Sequence, residues 1–144
     1  MRTSTWVVVF GALGALGCSR KVEGTWRGMC QVERTEGANG TPTLVDTPVP
    51  VIVSVNPEGG RYRMDVTFGT TACAWRGAQG ATTTRNGGAT ELSFPAMPCS
   101  SVEGDSTGGN GHFTLQNGSN GAHLFGGADR RGLQLNLREC VVSQ

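Results

Sequence analysis

Arg61-Tyr62-Arg63-Met64-Asp65-Val66-Thr67-Phe68 changes side-chain character at every step. Successive side chains of an extended strand point to opposite faces. Tyr62, Met64, Val66 and Phe68 therefore share one face, and Arg61, Arg63, Asp65 and Thr67 the other. Just upstream, Val49, Val51, Val53 and Val55 form a second apolar stripe. The segment between them, Asn56-Pro57-Glu58-Gly59-Gly60, is turn chemistry. The pair predicts a β-hairpin. Pro50 has no amide donor, which places the start of the first strand at a sheet edge or a bulge.

The same period of two recurs on both sides of this hairpin. Gly24–Glu33 puts Trp26, Gly28, Cys30 and Val32 on one face. Thr71–Arg76 turns Cys73 and Trp75 inward. Ala81–Arg85 and Ala89–Phe94 flank Asn86-Gly87-Gly88, a second hairpin signal with Leu92 and Phe94 as its buried pair. Gly111–Gln116 buries Phe113 and Leu115, and Ala122–Phe125 follows the turn Asn117–Gly121. Gly132–Val142 carries Leu133, Leu135 and Leu137 inward, with a bulge before Cys140. Glu36–Pro42 and Gly104–Gly111 read as long loops.

No long segment has helical periodicity. The prediction is all-β: eight or nine short strands joined mostly by Gly-rich links, in one domain spanning 24–144. Closing such a meander removes the exposed edges that invite aggregation. A small antiparallel up-and-down β-barrel is favoured, with a two-sheet β-sandwich as the alternative.

Composition bounds the function. The chain has 144 residues, 23 of them Gly, and only 16% are charged. With 12 basic and 11 acidic residues, it lacks the electrostatic footprint of a nucleic-acid binder. A multidomain enzyme and a coiled coil are excluded as well.

Residues 1–17 read as a signal peptide. Arg2 supplies positive charge, and Trp6–Gly17 is uncharged but shorter than the roughly 20 residues a membrane-spanning helix needs. Ala15-Leu16-Gly17-Cys18 resembles the lipobox of bacterial lipoproteins. It departs from the usual pattern at Ala15, where Leu is preferred, and at Leu16, where a small residue is preferred. The resemblance implies that Cys18 is lipidated and becomes the first residue, that 18–23 is a lipidated tether, and that fatty acyl chains such as palmitate hold the protein to a membrane of the cell envelope. Ser19, where Asp would favour inner-membrane retention, favours the outer membrane if the source has two membranes.

Setting Cys18 aside leaves Cys30, Cys73, Cys99 and Cys140, an even number for an oxidising compartment. Closing the meander would set the first strand beside the last, pairing Cys30 with Cys140 and leaving Cys73 to pair with Cys99 across two intervening strands. Cys30–Cys73 with Cys99–Cys140 is the rival. The Cys spacings lack the close pairs of zinc sites.

Gly24-Thr25-Trp26 resembles the Gly-x-Trp that opens the first strand of lipocalins and avidin-like proteins. That resemblance implies an eight-stranded barrel with the Trp plugging one end and a ligand cavity at the other. Met64, Phe68, Trp75 and Phe94 are the candidate ligand-lining residues.

Catalytic signatures are incomplete. Gly104-Asp105-Ser106-Thr107-Gly108-Gly109 is similar to the Gly-Asp-Ser-Gly-Gly of trypsin-like serine proteases, but Thr107 is inserted. His112 and His123 both follow the Ser, where that family places its His upstream. Gly108-Gly109-Asn110-Gly111 starts like a calcium-binding nonapeptide, yet Phe113 stands where Asp is required. Asn117-Gly118-Ser119 fits a glycosylation acceptor, although a bacterial lipoprotein is not expected to use it. Arg61, Arg63, Arg76 and Arg85, interspersed with Asp65 and Glu91, read as a mixed solvated surface.

The expectation is a lipid-anchored envelope protein without catalytic residues, metal or cofactor. Its candidate partners are the membrane, another envelope protein or a cell-wall polymer, and not nucleic acid. The alternative is a lipocalin-like carrier of a small apolar ligand.

Overall fold

A computed structural model of the chain describes residues 21–75, 82–86, 89–101, 108–130 and 132–144. The signal segment with Cys18 and Ser19, Arg76, the Gly87-Gly88 turn and Gly104–Thr107 lie outside the described residues. Ten strands follow one another: β1 (Gly24–Glu36), β2 (Thr43–Leu44), β3 (Val49–Glu58), β4 (Arg61–Phe68), β5 (Thr71–Ala74), β6 (Thr82–Asn86), β7 (Ala89–Ser101), β8 (Gly109–Gly118), β9 (Gly121–Arg130) and β10 (Leu133–Ser143). No helix among the described residues is long and apolar enough to cross a membrane.

The pairing runs β10-β9-β8-β7-β5-β4-β3-β1, antiparallel throughout, and closes because β1 also pairs with β10. The fold is thus a closed eight-stranded up-and-down barrel. The two remaining strands continue wall positions already occupied. β5 and β6 both lie along β7, with Thr71–Cys73 opposite Ser101–Cys99 and Thr82–Asn86 opposite Ser93–Ala89. β2 extends the β3 position along β1, where Leu44 faces Glu33.

The decisive hairpin forms as expected but turns more tightly. Strand pairing continues through Pro57↔Tyr62 to Glu58↔Arg61, so only Gly59-Gly60 is left to turn. Both have positive φ, 57° and 79°, as a two-residue turn matched to strand twist requires. β7 is also longer than predicted. It passes Pro95 through a bulge between Phe94 and Met97, which accommodates the missing amide donor, and continues with Pro98 opposite Asn110. Cys73 consequently lies directly opposite Cys99 in adjacent strands rather than across two others.

Alternate residues converge on one core. Trp26, Val53, Met64, Val66, Leu92, Phe94, Met97, Phe113, Leu115 and Leu124 are all buried. Phe68 meets Phe113 edge-on at 5.9 Å. Two disulfides brace the wall, Cys30–Cys140 with Cα atoms 4.5 Å apart and Cys73–Cys99 with Cα atoms 4.0 Å apart. The first sits at the β1–β10 seam. There the register shifts between Met29 and Gln31, and the extra residue lies on β10. Glu139 takes φ 47° at this bulge, the only positive φ on a non-glycine among the described residues. The expected bulge before Cys140 is therefore present, and it turns the Cys140 side chain inward, where it is buried.

The second disulfide depends on an absent side chain. A Cβ on Gly111 would stand 2.7 Å from Phe113 and 2.8 Å from the Cys99 sulfur. Gly111→Ala should therefore destabilise the fold by about 1–3 kcal/mol through overpacking, read from urea denaturation midpoints. The disulfides should rank by the chain they close, 110 residues against 26. Replacing Cys30 and Cys140 by Ser should cost about 4–5 kcal/mol and replacing Cys73 and Cys99 about 3–4 kcal/mol, on the loop-entropy account. Equal costs, or the reverse order, would contradict that ranking.

Candidate functional site

Three places on the barrel carry chemistry beyond strand packing: the interior, one half of the outer wall, and the end where the chain enters.

In the interior, Met64, Phe68 and Phe94 retain 0%, 2% and 0% of their surface. They belong to one buried cluster with Leu92, Met97, Phe113 and Leu115. Trp75, the fourth candidate lining residue, is half-buried just past the end of β5. Its ring meets Phe94 edge-on at 5.9 Å, and its backbone N–H donates to Met64 O at 2.9 Å. Its indole N–H is buried with no partner among the described residues.

The outer wall has two characters. On β7 and β8 the outward rungs are polar: Ser93 and Thr114 share a hydrogen bond at 2.9 Å, and Gln116 Nε2 donates to Glu91 Oε1 at 2.8 Å. Arg63 and Asp65 pair on β4 at 3.3 Å, in keeping with the mixed surface expected of Arg61, Arg63 and Asp65. The opposite half carries the large exposed hydrophobics, alongside the Arg138–Glu33 ion pair. Met29, Leu44, Ile52, Phe125 and Val141, the large hydrophobic side chains left exposed among the described residues, are 38–58% exposed. They all belong to β9, β10, β1, β2 and β3. The register lines them up: His123 pairs with Val141, Val141 with Met29, and Met29 with Pro50, a row across four strands. Phe125 lies one outward position along β9 from His123, whose ring stacks on it at 6.1 Å. Beside Phe125 a groove of ≈ 670 Å³ runs over Leu137 and Arg138 to Leu44. Arg138 is held there by a bidentate pair with Glu33 at 3.0–3.2 Å.

None of these five residues stands out in the sequence. Each is a single apolar side chain at an outward strand position, and only the pairing of distant strands assembles them.

His112 is exposed and distant in register from any acidic pair, and among the described residues no group of three or more His, Cys, Asp or Glu is arranged to hold a metal ion.

At the entry end, residues 21–23 are fastened to the barrel rather than hanging from it. Val22, within the stretch 18–23 expected to be tether, is 2% exposed and belongs to the core. Three successive carbonyls are each capped by a side chain from a different part of the wall. Asn117 Nδ2 donates to Lys21 O at 2.7 Å, Trp26 Nε1 to Val22 O at 2.9 Å, and Gln144 Nε2 to Glu23 O at 2.5 Å. Tyr62 Oη donates to Glu23 Oε1 at 3.3 Å. Tyr62, expected to face inward with Met64, is thus half-buried at the rim and serves as a clamp.

Desolvation raises the Tyr62 pKa above its ordinary value of 10.0, and the Glu23 carboxylate and its hydrogen bond push the same way. Tyr62 is the single tyrosine of the chain, so its titration is directly visible. The tyrosinate absorbance should rise only above the usual midpoint, and Glu23→Gln should lower that midpoint. Because folding favours the neutral phenol, this contribution to stability is complete below pH 10 and is lost as pH climbs through the raised pKa. A midpoint unchanged by Glu23→Gln would show that the clamp is not made.

No protein-family model, curated protein or solved structure matches this chain, and barrel closure on its own assigns no activity.

Proposed function

We propose that this protein is a lipid-anchored component of a bacterial cell envelope that works by binding, not by catalysis, and that the β9–β10–β1–β3 face receives another envelope protein. The observation that carries this reading is where the exposed apolar side chains gather: among the described residues every large exposed hydrophobic lies on β9, β10, β1, β2 or β3, with Met29 and Val141 paired in register. Contiguous exposed apolar area on a small domain marks an interaction surface. A protein partner suits Met29, Val141 and Phe125 better than a cell-wall polymer, whose hydroxyls and amides would leave these side chains without complementary contacts. Anchoring through Cys18 rests on the lipobox resemblance, and the two disulfides agree with a compartment outside the cytoplasm.

A second reading, carriage of a small apolar ligand, is favoured by the unpartnered indole N–H of Trp75 beside Phe94. It would require the packed interior to open.

Site-specific photocrosslinkers placed in cells at Met29 and at Thr114 separate these readings. A discrete adduct from Met29 and none from Thr114 is the expected result. With the crosslinker kept at Met29, Val141→Glu should abolish the adduct while leaving stability within about 0.5 kcal/mol, as for other exposed positions. Equal crosslinking from both walls would remove the docking face. Saturable quenching of Trp fluorescence by a hydrophobic dye, unaffected by Val141→Glu, would favour the carrier. Cys18→Ser should release the protein from the membrane fraction; unchanged partitioning would remove the anchor.

A further inference from the structure

We infer that the entry end of the barrel is a membrane seat: the clamped segment Lys21-Val22-Glu23 holds that end against the surface of a lipid bilayer, with the apolar wall facing sideways along it. The inference rests on the lipid anchor of the proposed function and adds an orientation which that anchor alone does not supply.

The argument is one of reach. An anchored domain tumbles freely only if a slack chain separates it from its lipid. Here chain is taken out of play up to Lys21, whose carbonyl is held by Asn117 of β8. Val22 is sunk in the core, and the Val22 and Glu23 carbonyls are capped by Trp26 and Gln144. Tyr62 of β4 holds the Glu23 side chain. Grips from this many directions fix the segment in rotation as well as position. Only Ser19 and Arg20 lie between Cys18 and the clamp. Even fully extended, the stretch from Cys18 to Lys21 spans about 10 Å, at roughly 3.3–3.6 Å per residue. Strands of 10 or more residues on most of the wall, tilted by about 35–45° to the barrel axis, make a barrel roughly 25 Å tall, more than twice that leash. Toppling it onto its other end is therefore impossible while the clamp holds.

The clamp also identifies which turns meet the lipid headgroups. Asn117 leads into the Ser119-Asn120 turn, and Tyr62 follows the Gly59-Gly60 turn, so both turns share the seated end. Thr70, at the far end of β4, lies at the opposite end.

The test uses the full lipidated chain in phosphatidylcholine vesicles carrying an acceptor dye on the headgroups. A donor is attached at Asn120→Cys or at Thr70→Cys, both exposed turn positions. Transfer should be clearly stronger from position 120 than from position 70. Inserting about 20 Gly and Ser residues between Arg20 and Lys21, a spacer with a root-mean-square span of roughly 25 Å, should abolish the difference while leaving the clamp intact. Vesicle binding with equal transfer from both positions would overturn the seat and leave the anchor standing. Absence of vesicle binding would overturn both together. A difference that survives the spacer would overturn the leash argument, since some other contact would then orient the barrel.

Discussion

The barrel exists because β1 finds β10. Every other pairing joins strands that are neighbours along the wall and close in sequence, so each can form locally. The seam must bring Cys30 to Cys140, 110 residues away, and hold the two strands in register. Without it the meander would present two open edges, rows of unpaired amides and carbonyls that favour association with other chains. The seam also contains a bulge at Glu139, the non-glycine with positive φ among the described residues. A non-glycine residue in glycine's usual positive-φ territory is tolerated there because it aligns Cys140 with Cys30. Covalent bond and bulge together fix one closure, which a flexible Gly-rich chain would otherwise specify weakly.

Closure at this strand number decides where function can reside. Eight strands enclose a space that side chains can fill or that can hold one small ligand. Here bulky residues fill it: Phe68, Phe94 and Phe113 with Met64 and Met97 leave almost none of their surface accessible. What is left open to a partner is the outside of the wall. The gathering of its large exposed hydrophobics on β9, β10, β1, β2 and β3 is not needed for the core, since outward positions contribute little to burial. Ser93 with Thr114 and Glu91 with Gln116 show how outward rungs are satisfied when they face water. The Val141–Met29 rung has no such arrangement.

Much of the fold was legible in the residues because period-two alternation is a local signal. Met64, Val66 and Phe68, Val51, Val53 and Val55, and Phe113 with Leu115 all took the predicted buried face, while Tyr62 did not. The disulfide pairing followed from closure, a global assumption that these strands satisfied. Legibility failed where two local signals competed. The strand predicted over Ala89–Phe94 stops where Pro95 follows, but a bulge carries β7 past it to Ser101. The strand predicted over Ala122–Phe125 stops before Gly126-Gly127, yet both stay in the ladder opposite Phe113 and His112. Val22 read as tether because nothing local reveals that a single valine will be gripped from β8, β4 and beyond β10. The apolar face was least legible, since Phe125, Val141, Met29 and Leu44 become neighbours only through register.

The entry clamp and the apolar wall bear on each other through dimensionality. Five partly exposed side chains make a modest patch, and a freely diffusing domain would need more area to hold a partner for long. A domain confined to a surface meets partners on that surface at a high effective concentration, which lets a weak contact suffice. Fixing one end raises the gain further, because the wall then sweeps the plane at a constant height and the orientational cost of docking is reduced before the encounter. On this account the three capped carbonyls at residues 21–23 do work that belongs to recognition, although they lie away from the residues that would touch the partner.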